Sequence, residues 1–185
     1  KKMSPWTRAD ILQKTANYIR QHIVEFATLM VRESGKPLAE AKGEWTVAAN
    51  LFEWYAEEGK RAYGTVIPSA RTDKRMQVIL QPMGVIGVIT AWNFPLALAG
   101  RKIGPALITG NTIVVKPTTE TPISTLELGP LAKKAGIPDG VLNIITGPGR
   151  TMGNALVSNP ITKMVTMTGS TPAGQSIART AAENL

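Results

Sequence analysis

Each of four apolar runs in this sequence ends on small, polar or glycine-rich residues. These ends are Thr90-Ala91-Trp92-Asn93, Lys116-Pro117-Thr118-Thr119, Thr146-Gly147-Pro148-Gly149 and Thr168-Gly169-Ser170-Thr171. Each leads toward a helix start, where free backbone N–H groups favour an anion. Lys116 adds an ammonium at the end of a buried strand, which at that depth calls for an anion or a route to water. Gly147-Pro148-Gly149-Arg150-Thr151-Met152-Gly153 spells G-x-G-x-x-x-G. That is one residue longer than the ordinary dinucleotide fingerprint and follows the third strand of its region instead of the first, so a structural turn is an equal reading. Ser170 or Thr171 suits simple N-capping as well as phosphate binding. By residue type alone, Asn93 reads as a turn residue and Trp92 as core. Taken together, the stretches point to a crevice for a dinucleotide phosphate, because ligands of open parallel sheets bind beyond the carboxyl ends of the strands.

Nucleophilic and metal chemistry find less support. The sequence has no cysteine, so it forms no disulfide and offers no thiolate to a metal. Its serines and threonines have no histidine partner in view, since the lone His22 falls on the distant first helical region as a surface or packing residue.

The elements that must hold these ends are legible from pattern. GVIGVIT, beginning at Gly84, is a β-branched, glycine-punctuated run suited to a strand buried on both faces. Phe94-Pro95 breaks it, with Pro95 suited to a first helical position. From there strands are expected over Val85–Thr90, Thr112–Val115, Val141–Ile145 and Lys163–Met167. Helices are expected over Leu96–Ile108, Ile123–Ala135, Thr151–Ser158 and Thr171–Glu183. This βα alternation predicts an α/β fold of the Rossmann-like, doubly wound parallel-sheet class. Upstream, Ser4-Pro5-Trp6 starts a helical region that Gly35 and Pro37 close. Ile11, Thr15 and Ile19 share one face of it, as do Ile23, Phe26, Ala27 and Met30. A second helix is expected from Leu38 to Ala62 with Val47, Leu51, Trp54 and Tyr55 as its apolar stripe. These helices should pack on one side of the sheet. Between Gly64 and Gln81, Thr65–Pro68 and Met76–Leu80 read as two short strands around a polar segment.

Composition sets the outer bounds. With 185 residues, 43% of them hydrophobic, the chain can bury a core as one domain. No apolar run approaches the ~20 residues of a membrane span, and Lys1-Lys2-Met3-Ser4-Pro5 leads into an amphipathic helix instead of a secretory signal. A cytoplasmic setting is expected. The formal charge of +8 is spread along the chain, and only 5% of residues are aromatic. A solvated basic surface or an anionic small ligand accounts for it; nucleic-acid binding would want clusters interleaved with aromatics.

Ala91-Trp92-Asn93-Phe94-Pro95, followed by VVKPTTETP and MTGSTPAG, resembles the NAD(P)-dependent aldehyde dehydrogenases in order and spacing, over essentially the whole chain. The look is of the succinate-semialdehyde and lactaldehyde dehydrogenase-like branch. The resemblance implies that Trp92 lies along the cofactor pyrophosphate and that the Asn93 amide helps hold the oxyanion of a thiohemiacetal. It implies cofactor contacts for Lys116, Thr118, Thr119, Gly147, Gly149, Gly169 and Ser170, and no metal. NAD-preferring members usually carry a glutamate three residues after the lysine. Here that position is Thr119, with Glu120 one later, so NADP is expected to be accepted and somewhat favoured over NAD. The resemblance also makes residues 64–81 part of a β-ribbon reaching a neighbouring subunit, with an ordinary surface hairpin as the plainer reading. A homo-oligomer, dimer or tetramer, is expected.

The family reaction uses a cysteine nucleophile and a glutamate-activated water, both in sequence that follows the last helix here. Residues 1–185 therefore read as a partial NAD(P)-binding domain without its catalytic domain, from a parent that oxidises an aldehyde to a carboxylic acid. The alternative is a non-catalytic dinucleotide-binding or subunit-interaction module. The 185 residues alone are expected to be inactive.

Overall fold

Ser4 opens the first helix as its type suggests: its hydroxyl accepts from the Thr7 N–H at 3.1 Å, and Pro5 follows at the first helical position. The computed structural model describes residues 3–184; Lys1, Lys2 and Leu185 lie outside them. Helix α1 (Pro5–Gln21) gives way at His22 to α2 (Ile23–Ser34). His22 interrupts the helix at φ −112°, faces Glu25 at 3.2 Å and leans on Phe26, the surface and packing role expected of it. Gly35, at φ 70°, ends α2 in the left-handed conformation that only glycine enters cheaply.

Helix α3 (Leu38–Glu58) is shorter than its apolar pattern suggests and ends in a 3₁₀ turn over Gly59–Arg61. A Cβ at Gly59 would collide with Ile108, so the chain passes that residue only as glycine. The buried stripe of α3 also differs from expectation. Val47 and Trp54 are exposed, Trp54 at 62%, while Ala41, Glu44, Trp45, Ala48, Ala49, Phe52 and Ala56 face inward. Small alanines let α1 and α4 approach closely, and Trp45 stacks on Phe26 at 4.6 Å. Hydrophobicity alone favours the larger residues of the opposite face, which the packing does not use.

Strands β1 (Thr65–Ile67) and β2 (Met76–Val78) pair antiparallel in a hairpin whose strand residues are all exposed. Then β3 (Val85–Ile89), α4 (Pro95–Ile108) and β4 (Thr112–Lys116) form the expected βαβ unit. The helix expected over Ile123–Ala135 is divided into α5 (Ile123–Leu126) and α6 (Leu128–Ala135). Pro130 has no N–H for the Leu126 carbonyl, which breaks the ladder there. β5 (Leu142–Ile144), α7 (Gly149–Ser158), β6 (Thr162–Met167) and α8 (Thr171–Ala182) complete the order.

The four later strands form one parallel sheet in the order β5-β4-β3-β6. The path from β3 to β5 advances one way, and the return to β6 reverses across β3. Right-handed crossovers then put α4 and α6 on one face and α7 on the other. Side chains agree: Ile86, Val88, Ile113 and Val115 enter the main core with the helices α1 to α4 and α6, whereas a Cβ at Gly87 would meet Leu156 of α7. α1 and α3 do lie on the expected side, but as an outer layer against α4 and α6. The fold is the doubly wound α/β class. Among the described residues no helix is long and apolar enough to cross a membrane.

Candidate functional site

The reversal of strand order falls between β3 and β6, and their carboxyl ends leave the sheet together. Ile89 pairs with Met167, and the Thr168 N–H donates to the Ile89 carbonyl at 3.0 Å. On the other side, the Thr90 N–H reaches the Lys116 carbonyl at 3.4 Å. The loops carrying Trp92-Asn93, Lys116 to Thr119 and Gly169-Ser170 therefore rise from one edge of the sheet.

Trp92 is 64% exposed and not core. Asn93 is exposed, and its side-chain amide enters no hydrogen bond among the described residues. The backbone beneath it is held at every carbonyl from Trp92 to Pro95. Thr121 Oγ1 donates to Trp92 O at 3.0 Å, Lys36 Nζ to Asn93 O at 2.8 Å, Leu98 N to Phe94 O at 3.0 Å and Thr125 Oγ1 to Pro95 O at 2.8 Å.

The helix starts at the strand ends are not equivalent, which corrects the expectation that each could take a phosphate. At α4, Glu44 Oε1 accepts from Leu96 N at 2.9 Å and Ala97 N at 3.1 Å. At α5, Glu33 accepts from the Ile123 N–H, the Ser124 N–H at 3.0 Å and the Ser124 hydroxyl at 2.7 Å. Both starts already hold a carboxylate. By contrast, α7 has no side-chain cap, and α8 has only a long 3.4 Å bond from Ala173 N to Ser170 Oγ. Those two starts stay open to an anion.

Lys116 is 3% exposed, and its ammonium donates to the Pro117 carbonyl at 2.8 Å. Burial lowers its pKa, and the nearby Glu120 partly opposes that. Glu120 is itself exposed and held below the usual carboxylate range, chiefly by the Thr118 hydroxyl and only weakly by Lys116. Thr119 Oγ1 donates to the Gly147 carbonyl at 3.3 Å, which ties the loop after β4 to the loop after β5. The structure thus brings the loop of Lys116, Thr118 and Thr119 beside Gly147.

The glycines of the G-x-G-x-x-x-G stretch have separate reasons to be there. Gly147 sits at φ 142°, and a Cβ on it would lie 2.6 Å from Met152 Cγ. Its need for glycine is in the turn itself. Gly149 has no such conformation, and a Cβ there meets nothing within 4 Å. Gly153 is buried in ordinary contact distance of Ile89, so it serves helix–strand packing. Gly169 is crowded only by the flexible tip of Met167, at 3.0 Å. A dinucleotide fits this set: an ammonium with donors to spare, two open helix starts, and at Gly149 a smooth wall the protein itself does not require. Among the described residues no three His, Cys, Asp or Glu side chains gather to hold a metal. A cavity of about 270 Å³ lined by Arg8, Ile11, Asn111 and Ile137 lies by the amino end of β4, away from this edge.

Sequence reasoning missed the residues that brace the site. Glu44 could have been found, because it falls on the buried stripe three residues after Ala41 and four before Ala48. Glu33, Lys36, Thr121 and Thr125 carry no local signal; their partners are remote in sequence. Lys102, four residues after Leu98 on α4, donates to Thr166 Oγ1 of β6 at 3.2 Å, and burial, aided by Arg101, lowers its pKa.

Comparison with known proteins accords with the motif reading. The model of the aldehyde dehydrogenase family matches residues 1–185. The chain is 49% identical over 178 residues to the NADP(+) succinate-semialdehyde dehydrogenase GabD of Escherichia coli, covering 96% of this chain and 37% of that protein. It is 52% identical to the 3,6-anhydro-alpha-L-galactose dehydrogenase of a Vibrio species, with the same coverage of 96% and 37%. The crystal structure of an E. coli NADP-dependent enzyme superposes with a TM-score of 0.97 at 48% identity, covering 99% of this chain and 38% of that one. This chain thus spans little more than a third of the length of the relatives it matches. A match along all its residues, together with a shared fold, places the chain in the aldehyde dehydrogenase family.

Proposed function

We propose that this chain is the cofactor-binding part of an NAD(P)-dependent dehydrogenase that oxidises an aldehyde to a carboxylic acid. The observation that carries the reading is the free Asn93 amide on a fully braced turn, beside two helix starts left open for phosphate. An exposed amide with a fixed backbone suits a developing oxyanion, and such a donor is commonly worth ~3 kcal/mol of transition-state stabilisation. Bound NAD(P) would supply the hydride acceptor. This chain's residues would hold it: the α8 amides with Gly169 and Ser170 at the pyrophosphate, Trp92 alongside, Lys116 and Thr118 near the adenosine ribose, and Gly147 and Gly149 at the adenine end.

NADP is the favoured cofactor. Thr119 places no carboxylate where a 2′-phosphate would lie, Lys116 can pair with that phosphate, and Glu120 is drawn to Thr118. The similar NADP-named relatives support this. Their names also support a semialdehyde as the substrate class. The β1–β2 hairpin exposes Val66, Ile67, Met76 and Val78, and a lone two-stranded ribbon is marginal in water. It would pair with another subunit in a homo-oligomer. The working compartment would be the cytoplasm.

The nucleophile must come from outside these residues, which contain no cysteine. The test uses the native protein, isolated from its source with an antibody to this segment. With succinate semialdehyde it should reduce NADP, and replacing Asn93 with Ala should lower kcat about 10²–10³-fold. The 185-residue chain alone should bind NADP without turnover. A native protein that binds dinucleotide but shows no aldehyde-dependent reduction would leave a non-catalytic module.

A further inference from the structure

We infer that Lys36 and Glu44 are positioning residues that aim the Asn93 amide, an inference that rests on the enzyme reading above. Lys36 sits in the link between α2 and α3, fixed on one side by left-handed Gly35 and on the other by Pro37 at φ −55°. From this short link its ammonium reaches the Asn93 carbonyl at 2.8 Å and the Glu44 carboxylate at 2.5 Å, and it lies 4.2 Å over the Phe94 ring. Glu44 is the buried anchor. Its side chain is 1% exposed, and its second oxygen takes the two N–H groups that start α4. A carboxylate is stabilised at a helix N-terminus, so Glu44 is held in place independently of Lys36.

The geometry gives this pair a function beyond capping. The Asn93 carbonyl belongs to the rigid peptide plane that joins Asn93 to Phe94. Holding that oxygen fixes ψ of Asn93. Pro95 restricts Phe94 on the other side, which sits at φ −137°, ψ 67°. Thr121 fixes the preceding carbonyl. With both neighbouring peptide planes held, the Cα–Cβ bond of Asn93 has one direction, and its exposed amide points where the backbone sends it. Thr121 comes from the loop after β4, Thr125 from α5 and Leu98 from α4 itself. Lys36 alone brings the outer helical layer to bear on the Asn93 peptide.

The test is kinetic and uses the native full-length protein. Lys36→Met keeps the two amide bonds of Glu44 and removes the tie to Asn93 together with the ammonium's contacts to Glu44 and the Phe94 ring. We expect kcat to fall about ten- to a hundredfold, the scale of a small misplacement at a reacting centre. The Kd for NADP, read by tryptophan fluorescence, should stay within about twofold. Lys36→Arg should recover part of kcat. In an Asn93→Ala background, Lys36→Met should change kcat by no more than about twofold, because the group it aims is gone. A Lys36→Met protein with wild-type kcat overturns the inference. So do losses that multiply in the double variant, the behaviour of a merely structural residue. Should Lys36→Met fail to fold, the Arg variant in both backgrounds makes the same comparison. Absence of aldehyde oxidation in the wild type would instead overturn the enzyme reading, and this inference with it.

Discussion

Gly147 and Gly149 stand two residues apart, yet alanine should act on them in opposite ways. At Gly147 the backbone is at φ 142°, and the new Cβ would lie 2.6 Å from Met152 Cγ in the first turn of α7. Holding an L-residue in so sparsely populated a region costs about 1–3 kcal/mol before the methionine shifts. At Gly149 the backbone is already helical, and the new Cβ meets nothing within 4 Å. There alanine narrows the unfolded ensemble and should stabilise by about 0.4–1 kcal/mol. The two variants should therefore straddle the wild type in urea unfolding followed by circular dichroism. Cofactor affinity should not follow stability. The methyl of Gly149→Ala projects into the space proposed for the dinucleotide, so NADP binding should weaken at least about tenfold, or ~1.4 kcal/mol. Titration by tryptophan fluorescence, to which exposed Trp92 contributes, reads this directly. A Gly149→Ala protein that unfolds as early as Gly147→Ala, or one that binds NADP as tightly as the wild type, would refute the division between a structural and a ligand-facing glycine.

Glu44→Ala should lower unfolding free energy by about 3–5 kcal/mol, since it uncaps α4 and leaves the Lys36 ammonium without its partner; a shift below 1 kcal/mol in the urea curve would count against a buried anchor. Thr119→Glu should weaken NADP binding more than NAD binding, and equal changes by isothermal titration would remove the argument for NADP. Lys116→Met isolates a pH effect. The Lys116 pKa is lowered in the folded state by burial, so the unfolded chain holds that proton more tightly. The penalty is constant below the folded pKa and is relieved as pH rises from there toward 10.5, so wild-type stability should gain on the variant over that interval and not at neutral pH. A flat difference across the alkaline range would show that the ammonium carries no burial penalty.

Period and punctuation made the sheet legible. Buried β-branched runs, Pro95 and the glycine-bearing ends at Gly147 and Gly169 located β3 to β6 to within a residue or two, because each signal is local. The apolar stripe of α3 was misread because tight helix packing selects alanine, which hydrophobicity scales rank below the exposed Val47 and Trp54. The division of the helix at Glu127 was written in Pro130. The braces of the site were not readable, for a different reason. Lys36 and Asn93 are 57 residues apart, Glu44 and Leu96 52, and Glu33 and Ser124 91. No short-range pattern encodes such pairs; only the finished packing of α2 and α3 on α4 brings them together.

Those long-range pairs also explain why a repeated βα unit can bind a ligand at some of its helix starts and not at others. Every strand-to-helix loop offers unpaired amides, so an unmodified repeat would offer an anion several comparable places. Here the outer helices reach in and close two of them: Glu44 fills the start of α4 and Glu33 the start of α5. A carboxylate already bonded to those amides would repel an arriving phosphate and would have to be displaced into a buried setting, which is costly. The α7 start, after β5 on the opposite face of the sheet, and the α8 start, after β6, receive no side chain from α2 or α3 and keep their amides free. The same carboxylates that close α4 and α5 stiffen the turn bearing Asn93. Selection of the open sites and bracing of the reactive turn are thus two results of one arrangement, in which a helical layer laid over α4 and α6 supplies carboxylates to the starts of α4 and α5. Glu33→Gln and Glu44→Gln should each loosen the Trp92–Pro95 turn, seen as faster amide exchange at Leu96 and Ser124, without a change in exchange at Gly149. Exchange that accelerates equally at Gly149 would mean that the two halves of the site are not separately built.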